Sequence, residues 1–464
     1  MTIFCDLLID NSVILTLDSK RRIFNNGAIA IKDGIIIDVN TTRSLGEKYS
    51  AKQHINAGGG IVHPGFVEPH IHISQYHSRS AASVTQHPQS KIRYAEWKAQ
   101  LFEEDEYAST MHGCLNLLRA GFTSYVDPGT VFTPEAAAAA THKVGMRAWL
   151  ADPYVWDSGE VLDLYPALIS ENLMKRVPCT RARAFDTLGG QLFRNKQNPL
   201  VRGHIAIYGE STASDDLRQL AKECANANNV TFTEHLCFAP AINQSLKQKL
   251  GSSQVEHALS LGLLDKKTTA VHMNTLEPQD IDIIEKSGIS IVWCVANYLA
   301  VAAGTGVRSH LPDLYHRGTS VALGIDSPHT TNPSDTAMLA YLAAKEAGSQ
   351  LLWSQLLEMQ TITAARTVGA ETDIGSIEVG KRADIVVREA SDLSRMKFDP
   401  VYELMLFERD NDVDTVIVDG NVVFSGGHST RVDEAEVIET SRQSMQKIAT
   451  RLGMSPQHGW PVIN

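Results

Sequence analysis

No stretch of the 464-residue sequence reaches the ~18 consecutive apolar residues of a membrane-spanning helix. Met1 to Asp10 has neither a basic start nor a long apolar core, so no secretory leader is expected there. Cysteine is scarce: Cys5, Cys114, Cys179, Cys224, Cys237 and Cys294 form no C-x-x-C pair and no regular framework. That excludes a disulfide-built fold and fits reduced thiols in the cytoplasm. Basic residues are outnumbered 42 to 53, for a formal net charge of −11, and they are scattered along the chain. A nucleic-acid surface needs a concentrated basic face, which is missing. Low-complexity sequence is absent apart from Ala136 to Ala140, which reads as helix. With 43% hydrophobic and 20% charged residues the chain can bury a substantial core. Its length suits one large α/β barrel with an appendage, or two to three smaller domains.

What is present is an alternation of short apolar runs with helical spacers. The first forty residues read as a small antiparallel sheet: Leu7 to Ile9, Ser12 to Thr16, Gly27 to Ile31, a Lys32-Asp33-Gly34 turn, then Ile35 to Val39. The same texture returns in Ala383 to Val387 and in Val413 to Val423, where Asp419-Gly420-Asn421 separates two β-branched runs. The two ends of the chain are therefore expected to share one β-domain. Between them lie eight apolar runs: Val62 to Ile73, Thr123 to Val126, Met146 to Ala151, His204 to Tyr208, Val230 to Leu236, Thr268 to His272, Ser290 to Val295 and Thr319 to Ile325. Eight strands with helices between them predict an α/β fold of the (β/α)8 TIM-like barrel type, with an open doubly wound sheet as the alternative. The expected boundaries are residues 1–60 and 371–430 for the two parts of the β-domain, 61–370 for the barrel and 431–464 for a C-terminal helical extension.

Chemistry is expected where barrel strands end. His70 and His72 stand two apart at the end of the first run, so strand alternation points both imidazoles the same way, within reach of one ion at ~2.0–2.1 Å. His235 closes the fifth run, His272 the sixth and Asp326 the eighth. Taken singly, such a histidine is more often a satisfied core residue, and an Asp after a strand is more often a helix cap. Taken together, five metal-ligating side chains on strand ends that converge at one barrel mouth point to a catalytic metal site with an open position.

The stretch His63-Pro64-Gly65-Phe66-Val67-Glu68-Pro69-His70-Ile71-His72 resembles the opening motif of the metal-dependent amidohydrolase superfamily, and Ile374 to Ile385 is similar to its return strand into the small β-domain. Within it, Val295 to Leu299 and Val413 to Val423 most resemble the triazine hydrolases, the chlorohydrolases and the cytosine and guanine deaminase-like enzymes. The resemblance spans nearly the whole chain and implies a distorted barrel plus a small β-sandwich built from both chain ends. It also implies that His70, His72, His235 and Asp326 hold a metal, with His272 either a ligand or a donor to substrate. Binuclear members use a carbamylated lysine on the fourth strand. No Lys occurs in His204 to Glu210, so one divalent transition metal per chain is expected, zinc first, with cobalt, iron and manganese as alternatives. In this reading Asp326 is the general base toward the metal-activated water, and His272 polarises the substrate.

One position departs from the deaminase pattern. Deaminases of this group carry His-x-x-Glu after the fifth strand, the Glu protonating a ring nitrogen or the departing amine, whereas Thr233-Glu234-His235-Leu236-Cys237-Phe238 puts Phe238 in that place. Glu234 faces away from the ligand by strand alternation. His329, three residues beyond Asp326, and Glu210, at the end of the fourth strand, are the candidate substitutes, against the bland readings of solvated loop histidine and helix cap. Gln75, Tyr76 and His77 are placed to line the pocket, Tyr76 being equally a packing residue. Asp127 before Pro128 reads as a cap, and Asn297 is a candidate substrate contact whose bland role is to fix its loop. These residues predict a mononuclear metal-dependent hydrolase. It would cleave an amide, carbamate, thiocarbamate, urea or related carbon–heteroatom bond of a small uncharged molecule, in the manner of xenobiotic-degrading enzymes. The alternatives are a deaminase or dechlorinase of a purine, pterin or triazine ring and, in another class, a metal-free scaffold. A cytoplasmic homo-oligomer without nucleic-acid or membrane partners is expected.

Overall fold

The computed structural model describes residues 2–80, 94–158, 170–197, 200–209, 212–327, 331–390, 398–407 and 412–454. Among them, two parallel sheets make the wall of a barrel. One runs Phe66–Glu68, Phe122–Asp127, Arg147–Leu150 and Val201–Gly203; the other runs Ile205–Ile207, Phe232–Leu236, Thr268–His272, Ser290–Trp293 and Ser320–Leu323. Nearly every residue of these strands is buried, because helices cover them on the outside and side chains fill the inside, so the strands read as apolar runs instead of alternating patterns. The fourth barrel strand is shared between the sheets. His204 interrupts it, its backbone donating to Leu150 O at 3.2 Å while its Nε2 faces Asp127 O at 3.0 Å. The seam between the eighth and first strands closes beyond their ends, where Ile71 bridges Asp326 in parallel and Asp326 N donates to His70 O at 2.8 Å.

Two of the expected barrel runs are corrected. Val62 to Ile73 is not one strand: Ile61–Pro64 belongs to the small β-domain and Phe66–Glu68 to the barrel. The chain crosses between them at Gly65, where a Cβ would meet the Thr123 side chain at 2.2 Å, so only glycine fits. The fourth strand begins earlier than expected, at Val201, and is broken by the histidine that seemed to open it.

The small β-domain is a nine-stranded sheet drawn from both chain ends. Ile61–Pro64 lies at its centre, parallel to Ile3–Leu15 and antiparallel to Ile385–Arg388. The expected pieces Leu7 to Ile9 and Ser12 to Thr16 merge into the single strand Ile3–Leu15, whose register shifts between Ile9 and Ser12 where Asn11 takes φ 51°. A polar strand missed from the sequence, Tyr49–Asn56, pairs parallel to it. The hairpin Val413–Val418 to Asn421–Ser425 turns through Asp419 at φ 53° and Gly420 at φ 77°, the two-residue left-handed turn that matches strand twist. One buried ion pair ties barrel to sheet: Arg147 Nε and Nη2 grip Asp384 Oδ2 and Oδ1 at 2.8 and 3.0 Å, and Nη2 also reaches Asp419 Oδ1 at 3.2 Å.

Ala136 to Ala140 lies in the helix Pro134–Val144, as its composition predicts. The C-terminal helix Glu434–Arg451 packs on the helix Glu103–Arg119 through Arg119 to Glu434 at 2.5 Å and Ser444 to Asp105 at 2.7 Å. Among the described residues no helix is long and apolar enough to cross a membrane.

Candidate metal centre

Four of the converging side chains stand at the spacing of ligands around one ion. His235 Nε2 lies 3.2 Å from His70 Nε2, and Asp326 Oδ1 lies 2.9 Å from His72 Nε2 and 3.5 Å from His70 Nε2. Bonds of ~2.0–2.1 Å in a tetrahedron place neighbouring donor atoms ~3.3 Å apart, so these contacts match the edges of a coordination shell. A ligand atom of His272 lies within 4.8 Å of those of His70 and Asp326. His72 is oriented by Thr130, whose Oγ1 sits 2.6 Å from Nδ1; donation from Nδ1–H leaves the Nε2 lone pair facing the other ligands.

The backbone pays for this convergence at the strand ends. Cys237, His272, Met273 and Asp326 take φ of 56°, 79°, 53° and 63°, left-handed values that non-glycine residues adopt at a cost of about 1–3 kcal/mol each. The turns are held by Met273 N to Leu236 O at 3.0 Å and Thr275 N to Cys237 O at 3.1 Å. Below them Glu68 Oε1 accepts from His70 N at 3.0 Å and Ile325 N at 2.9 Å, tying the first strand to the eighth.

Electrostatics favour a bound cation. Burial holds His70, His235 and His272 neutral, His272 down to about 3. Burial alone would raise Asp326, but the facing His70 and His72 side chains outweigh it and hold the carboxylate well below its ordinary range. A fully buried carboxylate among neutral imidazole lone pairs lacks a full compensating charge, and a divalent ion supplies it. Three imidazoles and a carboxylate are a donor set that zinc accepts.

The amidohydrolase family model matches residues 61–423, well over half of the sequence. The chain belongs to the amidohydrolase family. It is 26% identical to a 5'-deoxyadenosine deaminase of Methanosarcina mazei, over 96% of this chain and 99% of that one. It superposes on an adenosine deaminase from Xanthomonas campestris with bound zinc at TM-score 0.83 and 21% identity, over 97% of this chain and 100% of that one. Atrazine chlorohydrolase from Arthrobacter aurescens, complexed with zinc, superposes at TM-score 0.78 and 18% identity, over 95% and 100%.

Around this amidohydrolase centre the other expected residues separate. Asn297, expected as a substrate contact, instead donates from Nδ2 to Asp326 Oδ2 and so orients that carboxylate. Phe238 is buried, its ring 4.6 Å from that of His272, in an apolar cluster with Tyr154 and Trp156. Gln75 Nε2 donates at 3.3 Å to the backbone O of Thr130, the residue that orients His72. Tyr76 is core, its OH accepting from Asn116 at 3.1 Å. Asp127 accepts from the backbone of Gly129, Thr130 and Ile73, the capping role. Glu234 turns outward to Arg218 at 3.0 Å, as alternation required. His329 and Glu210 lie outside the described residues. Thr130 and Glu68 received no role in the sequence because each acts by holding another residue, Thr130 the His72 ring and Glu68 the backbone of His70 and Ile325; the signal for Thr130 was its place three residues after the second strand.

His77 does not line the pocket. Its Nε2 lies 2.5 Å from Ser441 Oγ on the C-terminal helix, and burial lowers its pKa to about 3. A histidine kept neutral in the folded state protonates on unfolding at any pH below its unfolded value of ~6.5, so its contribution to stability is lost as pH falls from there toward 3. Relative to His77→Gln, the wild type should lose about 2 kcal/mol of unfolding free energy between pH 7 and pH 5. Urea titrations of both proteins at the two pH values check this; a gap independent of pH would refute it.

Proposed function

We propose that the chain is a mononuclear zinc-dependent hydrolase that releases an amine from the amide, carbamate, thiocarbamate or urea carbon of a small uncharged molecule. The observation that carries this reading is Phe238, which puts an apolar ring beside His272 where an acid would serve a heteroaromatic ring. Attack on a purine or triazine breaks aromaticity and requires prior protonation of a ring nitrogen; attack on a carbonyl does not. His70, His72, His235 and Asp326 would hold the ion, which when bound supplies the Lewis acidity that makes water nucleophilic near neutral pH. Asp326, fixed by Asn297 on one oxygen, takes the water's proton. Neutral His272 donates to the carbonyl oxygen as it gains charge. The rings of Phe238, Trp156 and Tyr208 form an apolar wall, Trp156 lying 5.5 Å from Tyr208 and Tyr208 4.6 Å from His235, which suits an alkyl or aryl substituent.

The second reading is an aminohydrolase of an adenosine-type nucleoside, supported by the nearly full-length similarity to 5'-deoxyadenosine deaminase. A direct comparison separates the two: zinc-loaded protein with 5'-deoxyadenosine, followed by ammonia release, and with a panel of N-aryl carbamates and anilides, followed by amine release. Turnover confined to the acyl compounds is the expected result. Ammonia from the nucleoside at enzymatic rates would establish the second reading instead. Chelation should abolish the activity and zinc restore it, and Phe238→Leu should raise KM with little change in kcat, because uniform binding is what the ring contributes.

A further inference from the structure

A charged group that the sequence did not single out is buried beside this centre. Lys98, on the short helix Tyr94–Ala99, is 1% exposed, and its Nζ sits 5.9 Å from the centroid of the Tyr208 ring. Tyr208 follows the fourth strand, half-buried at the barrel mouth, with its ring 4.6 Å from that of His235 and 6.5 Å from that of His72. The ammonium is therefore one aromatic ring away from two of the metal-site histidines. The neighbouring Ala99 belongs to the same apolar cluster as Phe238, Tyr154 and Trp156, so the helix brings Lys98 to the wall from which an acid at position 238 is missing. Lysine is almost never fully buried, because the ammonium loses its hydration.

We infer that Lys98 is the acid that gives the departing nitrogen its proton. The inference rests on the amine-releasing reading above. Burial pushes the ammonium down to about 7, against an opposing pull from the Asp326 carboxylate, and a donor titrating near the working pH transfers its proton most effectively. Of the elements packed on this helix, the one carrying Arg176 turns it to Ala99 O at 3.1 Å, and the one carrying His77 turns it to Ser441. Three other buried acids are turned to the backbone: Glu68 accepts from His70 N and Ile325 N, Asp127 from three amides, and Glu106 from Phe132 N and Thr133 N. In the step itself, water adds its oxygen to the carbonyl carbon and its proton goes to Asp326. The C–N bond then breaks with its electron pair on nitrogen, which takes a proton from Nζ. Lys98, left neutral, recovers a proton from Asp326 through solvent, so one water becomes one acid and one amine.

Two probes with the same acyl group test this: 4-nitrophenyl acetate, whose phenoxide leaves without a proton, and 4-nitroacetanilide, whose nitrogen needs one. In zinc-loaded Lys98→Met, which keeps the stem without the charge, turnover of the anilide should fall by ~10²–10⁴ and that of the ester by less than about threefold. The fall in kcat/KM of the wild type for the anilide above pH ~7 should vanish in the variant. Equal losses on both probes, or an unchanged anilide rate, would overturn the role. A readout without turnover is the titration of ε-13C-lysine-labelled, zinc-loaded protein, where the signal missing from Lys98→Met should have its midpoint below ~8; a midpoint at the ordinary ~10.4 overturns the inference. A wild type that cleaves neither probe, with Lys98 still titrating low, overturns the reading of the reaction and this role with it.

Discussion

Asp326→Asn should lower turnover by ~10²–10⁴, the loss typical of a missing general base, while the protein remains folded. The position takes φ 63°, a conformation that Asn tolerates nearly as well as Asp, so the substitution adds no backbone strain. An amide oxygen can still accept from Asn297, and the bridge to Ile71 is made by backbone. What disappears is the negative charge facing His72 Nε2 at 2.9 Å and His70 Nε2 at 3.5 Å. Turnover measured at saturating zinc, with metal content determined on the same sample, separates the loss of the base from weaker metal binding. A variant within a few-fold of wild type, fully loaded, would show that another group takes the water's proton.

The largest stability effect is expected at Arg147. Its guanidinium and the Asp384 carboxylate are both nearly inaccessible to solvent, with side chains 2% and 1% exposed, and they join the third barrel strand to the small sheet. Arg147→Met leaves a buried carboxylate uncompensated, which costs about 3–5 kcal/mol. Asp384→Asn added to that variant should recover part of the loss, since the amide still accepts from Asp419 N, now at 2.8 Å, and carries no charge. Urea unfolding of the two variants and the wild type measures both steps. A single-variant loss below about 1 kcal/mol would mean that the pair is no more than a surface-type ion pair in energetic terms.

The strands of the barrel were legible because burial on both faces writes them as continuous apolar runs, and the candidate ligands stood out because they end those runs. The same rule misled at Val62 to Ile73. Pro64 and Phe66 are both buried, in different sheets, and only the steric conflict at Gly65 separates them. It misled again at His204, a polar residue inside a barrel strand. His77 looked like a pocket residue because it lies close to His72 in sequence, yet its turn carries it to Ser441, 364 positions away, a contact that local patterning does not encode. Nothing in Trp97-Lys98-Ala99 singles Lys98 out in the sequence. Its burial follows from which elements fold over it, and that is a property of the tertiary packing alone. Phe238 was legible because its meaning lies in a fixed spacing from His235.

The seam of the barrel has a consequence for how the molecule is made. Ile71 finds its partner only when Asp326 has been synthesised, and Val62, in the centre of the small sheet, finds Val387 later still. At ~5–20 residues per second on a ribosome, that strand edge waits roughly 20–60 s for its neighbour. The candidate ligands can gather around one ion only after Asp326, about 70% of the way along the chain, has left the exit tunnel, and until Val387 follows it the apolar edge of Ile61–Pro64 stays unpaired.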